Sequence, residues 1–335
     1  MQVSKIGIPR TLAYFIYFPL WKTFFEELGH EVVLSPATSK AILDRGVKEA
    51  VNDACIPIKL YHGHAAALAG KVDYIFCPRL VSVRSHGDFG SETFCPKFLG
   101  LPDMLRLAMD DLPEIIDVRV DLKQGKDGLW QLSQEIGKGL GNSREEIKRA
   151  FNRAREQQRQ YNRLLYQEML PLEALKIIEQ KNPIPKKEKS NENYDLQVAV
   201  VGYPYLLYDA YINAGLLAIL EKEKVKVYTQ DIISDRKMNQ QAKTLPKSTF
   251  WYFSNRVIYG ALHFMQRPEI EGVIHLTAFA CGPDSMVDRL LEIESRRRGN
   301  RPYLSIAVDE HTGEAGVRTR IEAFVDMLRY RRERK

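Results

Sequence analysis

The sequence has few of the motifs that would assign a function directly. Its 335 residues include only four cysteines, and no two of them form a C-x-x-C pair. Zinc ribbons and bacterial ferredoxins carry such pairs, so the sequence does not fit either class. The chain also lacks a G-x-x-x-x-G-K-[ST] motif and a G-x-G-x-x-G motif after a predicted strand. We therefore expect no P-loop and no ATP hydrolysis by this chain alone.

Long hydrophobic runs are also absent. The most apolar stretch, LAYFIYFPLW, has ten residues and contains Pro19, which is about half of a membrane span. The first residues do not have the pattern of a signal peptide. We therefore expect a cytoplasmic protein without a membrane partner. Thiols stay reduced in the cytoplasm, so four cysteines there indicate a metal site, catalysis or core packing rather than disulfides.

The charge is mildly positive and unevenly distributed. The formal net charge is +6, and much of the excess lies in ESRRRGNR and RYRRERK. Basic runs of this kind are usually solvated helix faces. A nucleic-acid-binding surface would need aromatic residues among the basic ones or a known nucleic-acid-recognition motif, and the sequence has neither. We therefore do not expect a nucleic-acid partner.

The chain contains the same strand–helix–strand pattern twice. The segment that begins KIGIPR aligns without a gap with the one that begins VAVVGYP, so that Gly7 matches Gly202 and Pro9 matches Pro204. Alternating strands and helices predict parallel sheets. The predicted fold class is α/β, with two similar doubly wound parallel-sheet lobes joined by a helical connector. The predicted boundaries are 1–125 for the first lobe, 126–194 for the connector and linker, and 195–335 for the second lobe.

Three cysteines share a local pattern. Cys55, Cys95 and Cys281 each have a proline within two residues and lie at a predicted loop-to-helix junction. Cys77 also precedes a proline, but it falls within the strand-like run VDYIFCPRLVSV. Core packing explains any one of these cysteines taken alone, because free cysteine is among the most buried residue types. Three such loops at the carboxyl ends of two sheets, facing a cleft between the lobes, favour a shared metal site.

Other polar residues near these loops are candidates for ligand binding. Arg79 and Ser82 follow Cys77 and could contact a phosphate or carboxylate, with a surface salt bridge as the alternative for Arg79. Asp284 and Ser285 follow Cys281 and are predicted to cap the next helix, although they could also face a bound cofactor. The connector contains Ser143 with a glutamate three residues later, which predicts a capping box.

Several of these motifs resemble one protein family. DACIPIKLYHGH, DYIFCPRLVSV, FCPKFLGLPDML and ACGPDS are similar to segments of the activase-related proteins of the 2-hydroxyacyl-CoA dehydratase superfamily. The similarity extends over nearly the whole chain except the connector. It implies an iron–sulfur redox component that accepts a low-potential electron and passes it to a small substrate such as an acyl-CoA.

The same resemblance implies a ligand set and partners. It selects Cys55, Cys95 and Cys281 as ligands of a [4Fe–4S] cluster, and it leaves the role of Cys77 open. A double-cubane cluster is the alternative cofactor. The implied partners are an ATP-hydrolysing iron–sulfur activator protein and either a second dehydratase-like subunit or a second copy of the chain. Whether the chain is itself a lyase or an ATP-coupled reductase component stays open at this point.

Two alternative functions are also consistent with the sequence. The chain could be a non-catalytic scaffold or sensor that keeps the cluster but has no turnover. It could also be a metal-free protein that binds a nucleotide or CoA. Iron content separates the metal-free alternative from the other two. Electron delivery by an activator separates the redox component from the scaffold.

Overall fold

The computed structural model of the protein describes residues 3–84, 92–180 and 194–334. Residues 181–193 of the predicted connector and linker therefore lie outside the described residues. The chain divides into two compact units. The first unit comprises Met1–Arg163, Ile178–Gln180 and Ser248–Tyr252, and the second unit comprises Leu164–Ile177, Lys181–Lys247 and Phe253–Lys335.

Strands and helices alternate along most of the chain. In order, the elements before Cys95 are β1 (Lys5–Ile8), α1 (Tyr14–Glu27), β2 (Glu31–Leu34), α2 (Lys40–Glu49), α3 (Ile56–Leu68), β3 (Tyr74–Phe76), β4 (Arg79–Arg84) and β5 (Glu92–Thr93). The following elements are α4 (Pro96–Leu99), α5 (Leu101–Ala108), β6 (Glu114–Ile116), β7 (Arg119–Asp121), α6 (Lys126–Gly139), α7 (Arg144–Tyr166) and α8 (Pro171–Glu179).

The remaining elements belong mainly to the second unit. They are β8 (Leu196–Gly202), α9 (Pro204–Leu207), α10 (Leu216–Lys222), β9 (Val225–Thr229), α11 (Asp235–Ala242), α12 (Tyr252–Met265), β10 (Gly272–Ala278), α13 (Gly282–Arg297), β11 (Tyr303–Val308) and α14 (Glu314–Glu333). Among the described residues, no helix is both long enough and apolar enough to cross a lipid bilayer.

Each unit contains a parallel four-stranded sheet, so the α/β fold class is confirmed. The strand order is β2-β1-β3-β6 in the first unit and β9-β8-β10-β11 in the second, and all pairings in both sheets are parallel. Both sheets thus have the order second–first–third–fourth strand. In such sheets ligands bind outside the carboxyl ends of the first and third strands, where the direction of the strand order reverses.

Burial explains the sequence of the central strands. All seven residues of β10 are buried, and all but one of the seven residues of β8 are. Strands covered by helices on both faces read as continuous apolar runs rather than as alternating patterns. His275 is the one ionisable residue of β10, and its ring is fully buried among largely apolar neighbours in the strand.

The strand predicted for VDYIFCPRLVSV is wrong in one respect. It is two strands, β3 and β4, separated at Cys77 and Pro78. The strand β3 pairs in the parallel four-stranded sheet, whereas β4 lies in a separate three-stranded sheet with the order β5-β4-β7. Proline has no N–H group to donate to the ladder, so the chain leaves the first sheet there.

Helices α2 and α3 pack with their backbones in close contact. A Cβ atom on Gly46 would lie 1.9 Å from the carbonyl oxygen of Lys59, and one on Gly63 would lie 2.0 Å from that of Ile42. No other residue fits at either position without moving a helix, because real Cβ atoms do not approach backbone this closely. The crossing therefore holds α3, the helix that follows Cys55, against α2.

The capping box predicted at the start of α7 is confirmed. The backbone N–H group of Ser143 donates to Glu146 Oε2 at 2.8 Å, and the N–H group of Glu146 donates to Ser143 Oγ at 3.3 Å. Such reciprocal bonds satisfy two of the N–H groups that a helix start leaves without intrahelical partners.

Candidate metal centre

Three of the four cysteines occupy equivalent positions at the starts of helices. Cys55, Cys95 and Cys281 are the N-cap residues of α3, α4 and α13, and each helix has a proline in its first two positions. Each of the three is partly buried. The predicted loop-to-helix junctions are therefore confirmed. Proline is favoured in the first turn of a helix, because the backbone N–H groups there have no intrahelical partners and proline has no N–H group.

Cys55 and Cys95 lie close to each other in the first unit. Burial raises the pKa of the Cys55 thiol, and the neighbouring thiol of Cys95 raises it further. Lys97 acts in the opposite direction on the pKa of both thiols. The Lys97 ammonium group also donates to the carbonyl oxygen of Asp53 at 3.2 Å, which connects α4 to the loop before Cys55. Two thiols and one cation thus share one small region.

Neither thiol has the lowered pKa that activates a cysteine as a nucleophile. Their pKa values are raised, chiefly by burial, so at neutral pH both are protonated in the absence of a cation. Metal binding releases the thiol proton, and the metal charge then stabilises the thiolate. In the part of the chain that the structure describes, no group of three His, Cys, Asp or Glu side chains is arranged to hold a metal ion.

Cys281 lies in the second unit, beyond the carboxyl end of β10. Ala280, directly before it, has a φ of 62°, a left-handed conformation that turns the chain from the strand into α13. Because β10 is the third strand of its sheet, the turn lies where sheets of this order bind ligands. Cys281 is thus at the position in the second unit where a ligand is expected.

The predicted capping role of Asp284 and Ser285 is wrong, because the helix begins earlier than expected. The N-cap of α13 is Cys281. Ser285 Oγ donates to the carbonyl oxygen of Gly282 at 2.8 Å, and the side chain of Asp284 is fully buried. Gly282 and Pro283 occupy the first two helical positions. Cofactor binding by Asp284 and Ser285 stays a prediction.

A buried charged cluster behind α13 was missed by the sequence analysis. His275 Nε2 lies 3.3 Å from Asp284 Oδ1, an ion-pair contact without hydrogen-bond geometry, and His275 Nδ1 lies 3.1 Å from Asp288 Oδ1. The Tyr303 hydroxyl donates to Asp288 Oδ1 at 2.6 Å. We call these four residues the His275 cluster. Two aspartates four residues apart on one helix, beside a strand with a single histidine, were the available signal.

Electrostatics determines the charge state of the His275 cluster. Burial alone would lower the pKa of His275, but the carboxylates of Asp284 and Asp288 raise it to about 9. Burial would raise the pKa of Asp288, whereas hydrogen bonds from His275 and Tyr303 lower it to about 2. His275 is therefore a buried imidazolium at neutral pH. It connects the central strand β10 to the first two turns of α13.

Arg79 and Ser82 are both engaged by aspartates of the first unit. Arg79 donates to Asp117 Oδ2 at 2.6 Å and also pairs with Asp103. Ser82 is fully buried and its hydroxyl donates to Asp121 Oδ1. The structure therefore agrees with the salt-bridge alternative for Arg79. Contact of either residue with a bound ligand stays a prediction.

Cys77 differs from the other cysteines because it is fully buried. Its backbone N–H group donates to the carbonyl oxygen of Ile116 at 3.2 Å, and burial raises the pKa of its thiol to about 12. A thiol that is never in contact with solvent and is held in its protonated form is typical of core packing.

Two comparisons with known proteins bear on this site. A family model described as the CoA enzyme activase uncharacterised domain (DUF2229) matches residues 5–233. A second family model, described as 2-hydroxyglutaryl-CoA dehydratase, D-component, matches residues 178–328, a range that contains Cys281. No curated protein matches the chain.

Proposed function

The chain belongs to the family of the CoA enzyme activase uncharacterised domain (DUF2229), within the activase-related dehydratase superfamily, and on this premise we propose that it is an iron–sulfur redox component. It would accept a low-potential electron from an ATP-dependent activator and pass it to a small substrate such as an acyl-CoA. The observation that carries the proposal is the shared position of three partly buried cysteines at helix N-caps with adjacent prolines.

Cys55, Cys95 and Cys281 would hold the cofactor, a [4Fe–4S] cluster. When bound, such a cluster supplies a one-electron store, and three protein thiolates leave one iron position open for an external ligand. The chemistry of the donor set fits this group, because Cys55 and Cys95 are neighbouring thiols beside a lysine. The positive charge of Lys97 would offset the negative charge of thiolates at these two positions.

The electron would come from a separate protein. The sequence has neither a G-x-x-x-x-G-K-[ST] motif nor a G-x-G-x-x-G motif after a strand. The proposal therefore assigns ATP hydrolysis to an iron–sulfur activator that associates with the chain. The family matches name a CoA enzyme activase and the D-component of a dehydratase. A second subunit or a second copy of the chain is therefore part of the proposal. We place this assembly in the cytoplasm, where thiols remain reduced.

Iron and sulfide analysis of anaerobically purified protein tests the cofactor. We expect about four irons per chain for one cluster and an electron paramagnetic resonance signal after reduction. Cys55→Ser, Cys95→Ser and Cys281→Ser should each lower bound iron sharply. The matched control is Cys77→Ala, which should keep its iron, since Cys77 is fully buried. Equal loss in all four variants would contradict the ligand set. Colourless protein after anaerobic reconstitution would favour a metal-free nucleotide- or CoA-binding protein.

Electron delivery tests the redox role separately from cluster binding. The iron-loaded chain is mixed with an activator, ATP and a reductant, and its visible absorption is followed. Bleaching that requires both activator and ATP is the expected result. A cluster that forms but is never bleached would indicate a scaffold or sensor. Steady ATP hydrolysis by the pure chain would contradict the need for a separate activator.

A further inference from the structure

The first unit contains a second feature that the proposed function does not use, an apolar cavity of about 190 Å³. It lies among α1, α6, α7 and the three-stranded sheet, and we call it the α1–α7 cavity. Apolar side chains from the sheet and two of the helices form most of its wall, including Leu20, Trp21, Leu80, Val120 and Leu129. The cavity is open to solvent rather than sealed, so a small molecule can enter it without unfolding of the unit.

The charged groups that line the cavity are all positive. Arg155 and Arg159, one turn apart on α7, both line it, and no aspartate or glutamate does. Arg159 is mostly exposed and pairs with Glu156 at 2.7 Å. The Arg155 guanidinium packs over the Phe151 ring at 5.4 Å, and no carboxylate of the described residues lies within ion-pair distance of it. Arg155 therefore has donors available for an anion at the cavity.

We propose that the α1–α7 cavity binds an aliphatic monocarboxylate of about six carbons, because an apolar cavity of 150 Å³ already accommodates benzene. The chain of the ligand would lie against Leu80 and Trp21, and its carboxylate would accept hydrogen bonds from Arg155. Guanidinium and carboxylate form short, charge-assisted, often bidentate bonds, which favours a carboxylate over a neutral amide. A single anionic end and an apolar body match the cation and the wall of this cavity.

This site is independent of the proposed iron–sulfur function. None of the four cysteines lines the cavity, and of the predicted cofactor-binding residues only Ser82 does. The Ser82 hydroxyl donates to Asp121, and the proposed electron transfer assigns it no step. The inference can therefore be tested on aerobically purified protein without a cluster. Failure of one proposal would leave the other unaffected.

Fluorine NMR measures the binding directly, with hexanoate that carries a terminal trifluoromethyl group as the probe. Addition of the protein should broaden the fluorine line, and unlabelled hexanoate should reverse the broadening. The corresponding trifluoromethyl amide should bind about tenfold more weakly or worse, since a hydrogen bond to a charged group contributes about 1.5–3 kcal/mol. Equal affinities for acid and amide would overturn the role of Arg155.

Three variants locate the binding. Arg155→Gln should lower the affinity for the acid about tenfold and leave that for the amide unchanged. Leu129→Trp, on half-buried α6, should fill the cavity and abolish binding of both probes. Arg149→Gln, at an exposed position of α7, the helix that carries Arg155, is the matched control and should bind both probes like the wild type. Circular dichroism confirms that each variant is folded. No line broadening with folded wild-type protein, or full binding by Leu129→Trp, would overturn the proposal.

Discussion

The His275 cluster predicts that the second unit loses stability when the pH rises. Substitution His275→Gln removes the imidazolium but keeps a polar side chain of similar size. In the wild type, Asp284 and Asp288 raise the pKa of His275 from its ordinary value of 6.5 to about 9. The contribution of His275 to the free energy of unfolding is fully present below pH 6.5 and is lost as the pH rises through 9.

The magnitude follows from the shift itself. One pKa unit corresponds to 1.36 kcal/mol, so the raised pKa of His275 is linked to about 3 kcal/mol. No reduction for solvent screening applies, because the ring is fully buried. The lowered pKa of Asp288 arises partly from the same contact with His275, so its free energy is not added to that of His275. The stabilisation linked to the Asp288 carboxylate is lost in acid, as the pH falls from 3.8 through about 2.

Hydrogen exchange followed by mass spectrometry provides a suitable assay. All three tryptophans, Trp21, Trp130 and Trp251, lie in the first unit, so their fluorescence does not report on the second. Amides of the fully buried strand β10 exchange through opening of the second unit. Comparison of variant and wild type at the same pH cancels the intrinsic exchange rate.

The opening free energy of the second unit should be higher in the wild type than in His275→Gln near pH 6. We expect this difference to decrease by about 3 kcal/mol between about pH 6 and pH 9.5. The matched control is His311→Gln, which changes an exposed loop histidine and should show no such trend. A difference that stays constant or grows over this range would refute the assignment of His275 as a buried imidazolium.

Three further predictions concern substitutions in or next to helices. Gly63→Ala should destabilise the first unit by about 3 kcal/mol, since its Cβ would meet the Ile42 carbonyl oxygen at 2.0 Å. Gly316→Ala, with open space around its Cβ in α14, should instead stabilise by about 0.5–1 kcal/mol. Tryptophan fluorescence during urea unfolding measures the effect of Gly63→Ala, and thermal unfolding measures that of Gly316→Ala. Equal effects of the two substitutions on stability would contradict the close contact between α2 and α3. Ser143→Ala should cost about 1 kcal/mol in urea unfolding through loss of the capping box, and an unchanged midpoint would show that the cap contributes nothing.

Local sequence patterns were sufficient to predict the parallel sheets. The alignment of Gly7 with Gly202 predicted two similar strand–helix–strand segments, and both sheets have the same strand order. Proline next to Cys55, Cys95 and Cys281 predicted helix starts, because proline favours the first turn. These features depend on residues within a few positions of one another.

Features that depend on distant residues could not be predicted in this way. The three-stranded sheet pairs β4 with β7, whose residues Ser82 and Asp121 are far apart along the chain. His275 reaches Asp284 and Asp288 only because α13 folds back onto β10. The α1–α7 cavity is lined by residues that are as far apart in the sequence as Tyr17 and Arg159. No local pattern specifies such contacts, since they arise from tertiary packing.

The contact between α2 and α3 has a consequence for the placement of Cys55. Lys59, whose carbonyl oxygen faces Gly46, lies one helical turn after that cysteine. A crossing without side chains between the two backbones sets how closely α3 approaches α2. Because Cys55 is the N-cap of α3, its sulfur moves with that helix, and a single added methyl group at the crossing would displace it.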